Sequence, residues 1–223
     1  MVLVFDLDDT LYEELEFVKS GFRAVTNFLN DHWSVPRELG YSLMLERLQN
    51  GRDHIFDDVL SGLELFSRKR VLQCVSVYRG HTPDIRLYTD ADDCLQRFRD
   101  LPVYIVTDGN RLVQSNKLKA LGLLEKAKFC FLTHCYGLRN SKPSPYCFLK
   151  ICCREKVRPQ DVAYIGDNPH KDFVGIKPLG FKTIRILRGQ HKDTVKPEEF
   201  DADYRLDSLS MLDYGFLQRV FEV

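Results

Sequence analysis

The chain has 223 residues, which suits one medium domain or a domain carrying an insert, and is long enough to bury a sizeable core. Lys plus Arg and Asp plus Glu each total 32, so the formal net charge is zero. That balance argues against a general nucleic-acid or membrane-surface binder, although it leaves a single nucleotide open as a substrate. No apolar stretch approaches the ~20 residues of a membrane span, and the first residues show no signal-peptide pattern. Seven cysteines without framework or zinc spacing read as reduced thiols packed in the core of a cytoplasmic protein.

In chain order, Val2 to Phe5 is an unbroken apolar run and reads as a strand buried on both faces. Asp6-Leu7-Asp8-Asp9-Thr10 follows at once, so acid sits where the hydrophobic strand ends. The side-chain period of a strand aims Asp6 and Asp8 the same way and Asp9 elsewhere. Leu15, Val18, Phe22, Val25 and Leu29 then recur at helical spacing. Pro36 opens a second helix carrying Leu39, Leu43 and Leu48, which ends at Asn50-Gly51. Ile55 to Leu63 and Arg68 to Tyr78 read as two more, with no convincing strand between Glu13 and about Arg79.

Strand and helix then alternate. Thr89-x-x-Asp92 reads as a capping box ahead of a helix with Leu95, Phe98 and Leu101. Val103 to Val106 is a second buried strand, ending in Thr107-Asp108-Gly109-Asn110. The next helix has Leu112, Ser115, Leu118 and Leu121 on one side and stops at Gly122. Phe129 to Leu132 is a third strand, and Ser144-Pro145 opens a helix through Cys153. Val162 to Ile165 is a fourth strand, ending in Gly166-Asp167-Asn168; a helix to about Leu179 follows, closed by Gly180. Lys182 to Leu187 is a fifth strand, Asp203 to Leu206 a short edge strand, and Ser208 to Phe221 a final helix.

This rhythm implies right-handed crossovers and an α/β fold, a Rossmann-like, mostly parallel sheet with helices on both faces. The early helical block breaks the rhythm. It reads as a small inserted domain, residues 12–82, within a core formed by residues 1–11 and 83–223.

Three strand ends, Asp6-Leu7-Asp8, Thr107-Asp108 and Gly166-Asp167, belong on the same edge of the sheet, where ligands of open α/β folds bind. Between the last two lies Lys142, in a loop just before a helix N-terminus. Clustered carboxylates make sense around a hard cation, and a lysine with helix N-termini suits a phosphate. The combination predicts Mg²⁺-assisted phosphoryl transfer.

These residues resemble the haloacid dehalogenase (HAD) superfamily. Asp6-Leu7-Asp8-Asp9-Thr10 matches its first motif, Thr107 the second, Lys142 the third, and Gly166-Asp167 with Asp172 the fourth. The insert after the first motif resembles the helical cap of its type I subgroup. The resemblance implies Asp6 as nucleophile, forming an aspartyl-phosphate, and Asp8 as the acid that protonates the leaving alkoxide and then activates water. It implies Mg²⁺ held by Asp6, Asp167, Asp172 and the backbone carbonyl of Asp8. Thr107 and the backbone N–H groups after it, at Asp108, Gly109 and Asn110, would hold the phosphoryl group. Lys142 would offset its charge, and Thr10 would order the loop.

Asp8 separates the branches of the family: dehalogenases lack it, since a halide leaves without a proton. A phosphatase of small phosphomonoesters is therefore expected, similar to pyrimidine nucleotidases and sugar-phosphate phosphatases. A phosphomutase, a catalytically silent binding module and a receiver-like phosphoacceptor are the alternatives. Arg52 and His54, and less strongly Arg23, Arg79 and His81, are expected to reach the substrate from the cap, and Asn168 and His170 from the loop after Asp167. No nucleic-acid polymer or membrane is expected as a partner, and the protein is expected to be a monomer or homodimer.

Overall fold

The computed structural model describes residues 1–222. The chain divides into two compact units, one of Met1–Glu14 with Arg86–Val223, the other of Leu15–Ile85.

The first unit holds a six-stranded, all-parallel sheet. Its strands are β1 (Val2–Phe5), β2 (Val103–Thr107), β3 (Phe129–Leu132), β4 (Val162–Gly166), β5 (Lys182–Ile186) and β6 (Tyr204–Leu206), in the order β3-β2-β1-β4-β5-β6. The central strands β1, β2 and β4 are buried throughout, as continuous apolar runs covered on both faces require. Val2, Val4, Tyr104, Val106 and Tyr164 alternate onto one face and pack with Phe148 and Ile151. β3 lies at one end of the sheet, and its Phe129 is exposed. Strand order reverses at β1, whose neighbours β2 and β4 run off in opposite directions. That reversal opens a crevice beyond the carboxyl ends of β1 and β4, the usual ligand position in such sheets.

The second unit is helical. It contains nearly all of α1 (Glu14–Trp33), then α2 (Arg37–Gln49), α3 (Ile55–Gly62) and α4 (Arg68–Gly80). Val18, Phe22, Val25 and Leu29 of α1 close on Met44, Val59, Leu60, Val71 and Cys74. Ser67 caps α4, accepting from the Arg70 backbone N–H.

The remaining helices are α5 (Thr89–Arg97), α6 (Arg111–Ala120), α7 (Leu123–Lys126), α8 (Tyr146–Glu155) and α9 (Tyr214–Glu222). Several local expectations are corrected. In α2 the buried residues are Gly40 and Met44, and Leu39 is exposed. Thr89 starts α5 rather than capping it: Tyr88 holds the cap position, and Asp92 pairs instead with Lys126. α8 begins at Tyr146, with the Ser144 hydroxyl accepting from its N–H at 3.4 Å. No α-helix forms between β4 and β5. Turns and a short 3₁₀ helix at Lys177–Leu179 take its place. The reason is local: the Asp172 carboxylate accepts from the Asn168 backbone N–H at 2.9 Å, and Pro178 lacks the N–H that a helix running on to Leu179 needs. The tail forms a 3₁₀ turn, Leu209–Met211, before α9. Of the cysteines, Cys74, Cys94, Cys147 and Cys152 are buried, Cys130 is half-buried, and Cys135 and Cys153 are exposed.

Candidate active site

The carboxyl ends of β1 and β4 deliver two carboxylates to one place. Asp6 follows β1, its backbone N–H still bonded to the Ile165 carbonyl at 2.8 Å, and Asp167 follows β4. Asp172 joins them from the turn after β4, and one ligand oxygen from each of Asp6, Asp167 and Asp172 lies within 4.8 Å of the others. All three are buried. Asp172 fits because residue 166 is glycine, where a Cβ would stand 2.5 Å from Asp172 Oδ2.

Lys142 neutralises part of this charge. Its Nζ is 2.6 Å from Asp6 Oδ1 and 2.8 Å from Asp172 Oδ1, and it donates to the Tyr164 hydroxyl at 2.9 Å. The Tyr164 hydroxyl in turn donates to Asp172 Oδ1 at 3.0 Å. Burial, with Asp172 adding to it against the pull of Lys142, pushes the Asp6 carboxyl up to about 6. Burial opposes ionisation of Asp172 as well, but Lys142, Lys171 and the Asn168 N–H hold it below the ordinary carboxylate range. Burial with Asp172 and Asp6 nearby pushes Asp167 up to about 9. Lys142 is drawn the other way: burial disfavours its charge, yet Asp172 and Asp6 raise it well above the ordinary lysine value.

This donor set suits a hard divalent cation. Three buried acidic side chains lie together with one ammonium, which pairs with Asp6 and Asp172 only, and every available ligand is an oxygen. Asp8 is outside the cluster; its expected contribution was a backbone carbonyl.

The Asp8 side chain has partners of its own. Oδ1 lies 2.6 Å from Lys117 Nζ and also accepts from the Tyr12 hydroxyl; Oδ2 accepts from Gln114 Nε2 at 3.2 Å. Burial would raise this carboxyl, but Lys117, Tyr12 and Gln114 hold it below the ordinary range. Strand period therefore fails just past Phe5: Asp6 and Asp8 reach different lysines. Asp9 takes a left-handed conformation, φ 52°, which Asp tolerates, and its carboxylate accepts from the Glu14 N–H at 2.9 Å. It orders the loop.

Thr107 is buried as the last residue of β2. Asp108 Oδ1 accepts from Thr133 Oγ1 at 2.5 Å and from the Lys142 backbone N–H at 3.1 Å, tying two loops together. Gly109, at φ 138°, passes Gln114 so closely that a Cβ would stand 2.7 Å from Nε2. Asn110 caps α6, accepting from the Leu112 and Val113 N–H groups. The side chains of Asp108 and Asn110 thus have structural work, which leaves ligand binding in this loop to the backbone.

Arg52 and His54 lie in the helical unit. With Arg79, Phe22, Phe56 and Tyr78 they line a cavity of about 260 Å³. His81 is buried against the Tyr78 carbonyl, 2.6 Å away, and Arg23 pairs with Asp84 at 3.8 Å. In the sheet unit, Asn168 accepts from the His170 N–H, and the His170 ring lies 5.6 Å from that of His191, tilted by 58°.

Sequence reasoning missed Tyr12, Tyr164, Gln114 and Lys117. Tyr164 lies in a strand that reads as buried core, and Tyr12 reads as the start of the inserted helical block. The other two carry a signal: they stand at i and i+3 on α6 next to Leu118, and that face is buried, while Leu112 is exposed.

A haloacid dehalogenase-like hydrolase family model matches residues 1–180. The glyceraldehyde 3-phosphate phosphatase of Methanocaldococcus jannaschii is 28% identical over 218 residues, covering 94% of each chain. The phosphoserine phosphatase of Thermus thermophilus is 31% identical over 127 residues, 55% of this chain and 48% of that protein. Among solved structures, the magnesium-bound putative HAD-hydrolase YfnB of Bacillus subtilis superposes with a TM-score of 0.67 at 19% identity, covering 97% of both chains, which establishes the shared fold. No helix of the described residues is long and apolar enough to cross a membrane.

Proposed function

The chain belongs to the haloacid dehalogenase-like hydrolases, and on that premise we propose that it hydrolyses a small phosphomonoester through a phosphorylated Asp6. The observation that carries the reading is the division of labour between Asp6 and Asp8. One carboxylate faces Lys142 and the acidic cluster, while the other is held by separate donors within two residues. A hydrolase that expels an alkoxide needs both a nucleophile and a proton carrier. The similarity to phosphatases of three-carbon phosphates supports the same class.

Asp6 attacks phosphorus, the ester P–O bond breaks, and Asp8 gives its proton to the departing oxygen. Water then attacks the Asp6-bound phosphoryl group, Asp8 takes its proton, and the bond to Asp6 breaks to release phosphate. Asp8 is ionised in the resting site, which is the form needed for the second step. The arriving phosphate dianion adds negative charge beside it and favours the protonated form needed for the first. Lys142 stays between Asp6 and Asp172 and compensates charge on the nucleophile. Thr107 and the backbone N–H groups of Asp108, Gly109 and Asn110 hold the phosphoryl oxygens. Asp6, Asp167 and Asp172, with the Asp8 carbonyl, would hold Mg²⁺, whose chemistry is to neutralise phosphoryl charge. Arg52 and His54, which line the cavity of the helical unit, would select the substrate.

Phosphate release from a panel of three-carbon phosphates, sugar phosphates, nucleoside monophosphates and p-nitrophenyl phosphate tests this. Release that requires Mg²⁺ and stops with EDTA is expected. Release from no panel member, the activated aryl ester included, would overturn the reading.

A further inference from the structure

Lys117 is a buried lysine on a helix face shared with the apolar Leu118. Its side chain is 4% exposed, it follows buried Gln114 by one helical step, and Leu118 beside it is apolar. Burying an ammonium costs several kcal/mol before its partner offsets it, so a buried lysine that is not replaced by an apolar residue marks a specific demand. The partner here is Asp8, at 2.6 Å. Gln114 donates both to Asp8 and, at 2.5 Å, to the Asp108 carbonyl, and so couples the loop after β1 to the loop after β2. Tyr12 donates to the same Asp8 oxygen as Lys117. Both carboxylate oxygens of Asp8 are engaged, from the side of α6 and of Tyr12.

We propose that Lys117, with Gln114 and Tyr12, is a positioning residue that holds the Asp8 carboxylate out of the acidic cluster, so that it carries protons instead of becoming a further ligand there. The reasoning is electrostatic. Asp8 stands two residues from Asp6, and the strongest alternative attractions for its negative charge are Lys142 and any cation held by Asp6, Asp167 and Asp172. Lys117 supplies a competing positive charge, 2.6 Å from Asp8 Oδ1. The inference rests on the phosphatase reading, because it assigns Lys117 a part in that reaction.

The two chemical steps respond differently to a displaced Asp8. p-Nitrophenolate leaves without a proton, so phosphorylation of Asp6 by the aryl ester proceeds without Asp8. Hydrolysis of the phosphorylated Asp6 still needs its base. Stopped-flow release of p-nitrophenolate, with Mg²⁺, from the wild type and from Lys117→Met therefore separates positioning from support of the fold. The variant is expected to show a burst close to one p-nitrophenolate per active site, followed by a steady state slower by about 10²-fold, the usual worth of a general base. A steady state equal to that of the wild type would overturn the proposal, and so would first turnover and steady state falling together. Asp8→Asn and the double variant Asp8→Asn/Lys117→Met complete the cycle, and the double variant removes both charges of the buried pair. With nothing left to position, the double variant should turn over within about threefold of Asp8→Asn. A further large loss would assign Lys117 a role apart from Asp8. No release by the wild type would contradict the phosphatase reading itself.

Discussion

The pocket around Lys142 and the pocket around Lys117 contain the same pair of groups, a buried lysine and an aspartate, and treat them in opposite ways. Lys142 is shared: Asp6 and Asp172 both lie within 2.8 Å of its Nζ, and the Asp6 carboxyl is still pushed up to about 6 by burial, with Asp172 adding to it. At Lys117, burial also works against ionisation, but the lysine, Tyr12 and Gln114 together bring Asp8 below the ordinary carboxylate range. On the proposed reading, a nucleophile beside a cation site and a proton carrier thus arise from one residue type. The ratio of donors to carboxylates around each, rather than the sequence of the loop, makes the difference.

Breaking the first pocket should have the larger effects. Asp6→Asn is expected to remove turnover by about four orders of magnitude or more, as loss of a nucleophile does, with the fold retained by circular dichroism. Lys142→Met should follow. It leaves two buried carboxylates without their shared ammonium, and urea unfolding in EDTA should show a loss of about 3–5 kcal/mol, the usual cost of breaking a buried ion pair. Asp8→Asn acts on the second pocket. It should slow steady turnover of alkyl phosphates by about 10²–10⁴-fold and spare the first turnover of p-nitrophenyl phosphate. Equal losses on the two esters in the first turnover would count against a proton-carrying Asp8.

The contrast also predicts a pH dependence of stability without cation. Asp6 and Asp167 are raised from 3.8 to about 6 and about 9. Each binds a proton more tightly folded than unfolded, so the stability it contributes is full below 3.8 and is lost as pH rises through 6 and then 9. Asp8 and Asp172 are shifted down, and their contribution changes only below 3.8, outside that window. Thermal unfolding in EDTA should therefore drop between pH 5 and pH 9, and Mg²⁺ should restore most at the alkaline end. A flat profile in EDTA would mean that the carboxylates are not crowded. The smallest effect belongs to the helical unit: Arg52→Ala or His54→Ala should alter the ranking of substrates by about three- to tenfold, one lost polar contact, and leave the Mg²⁺ requirement unchanged.

The sheet and the strand-end residues were legible because both signals are short-range. A buried apolar run such as Val2–Phe5 followed by acid states the strand and its functional end together, and the same logic located Thr107 and Asp167. Lys142 could be placed by its position before a helix. What escaped depends on the rotation or the side-chain contacts of a segment. Leu112, Ser115, Leu118 and Leu121 suggested one face of α6; Leu118 and Leu121 are buried, but Leu112 is exposed and the buried positions include Gln114 and Lys117, whose polar groups both reach Asp8, more than 100 residues away, while Gln114 also reaches the Asp108 carbonyl. The stretch after Asp167 has enough length for a helix, yet the Asp172 carboxylate folds back on the Asn168 N–H and Pro178 interrupts it. Tyr164 reads as core and is core, while its hydroxyl also joins Lys142 to Asp172.

The central claim is that Asp6 carries the phosphoryl group. Acid-quenching the protein during turnover with Mg²⁺ and the best panel substrate, followed by peptide mapping by mass spectrometry, tests it most directly. The account predicts an alkali-labile phosphoryl group on the peptide containing Asp6, absent from Asp6→Asn. A phosphoryl group on another residue, or turnover that persists in Asp6→Asn with no group trapped in either protein, would contradict it.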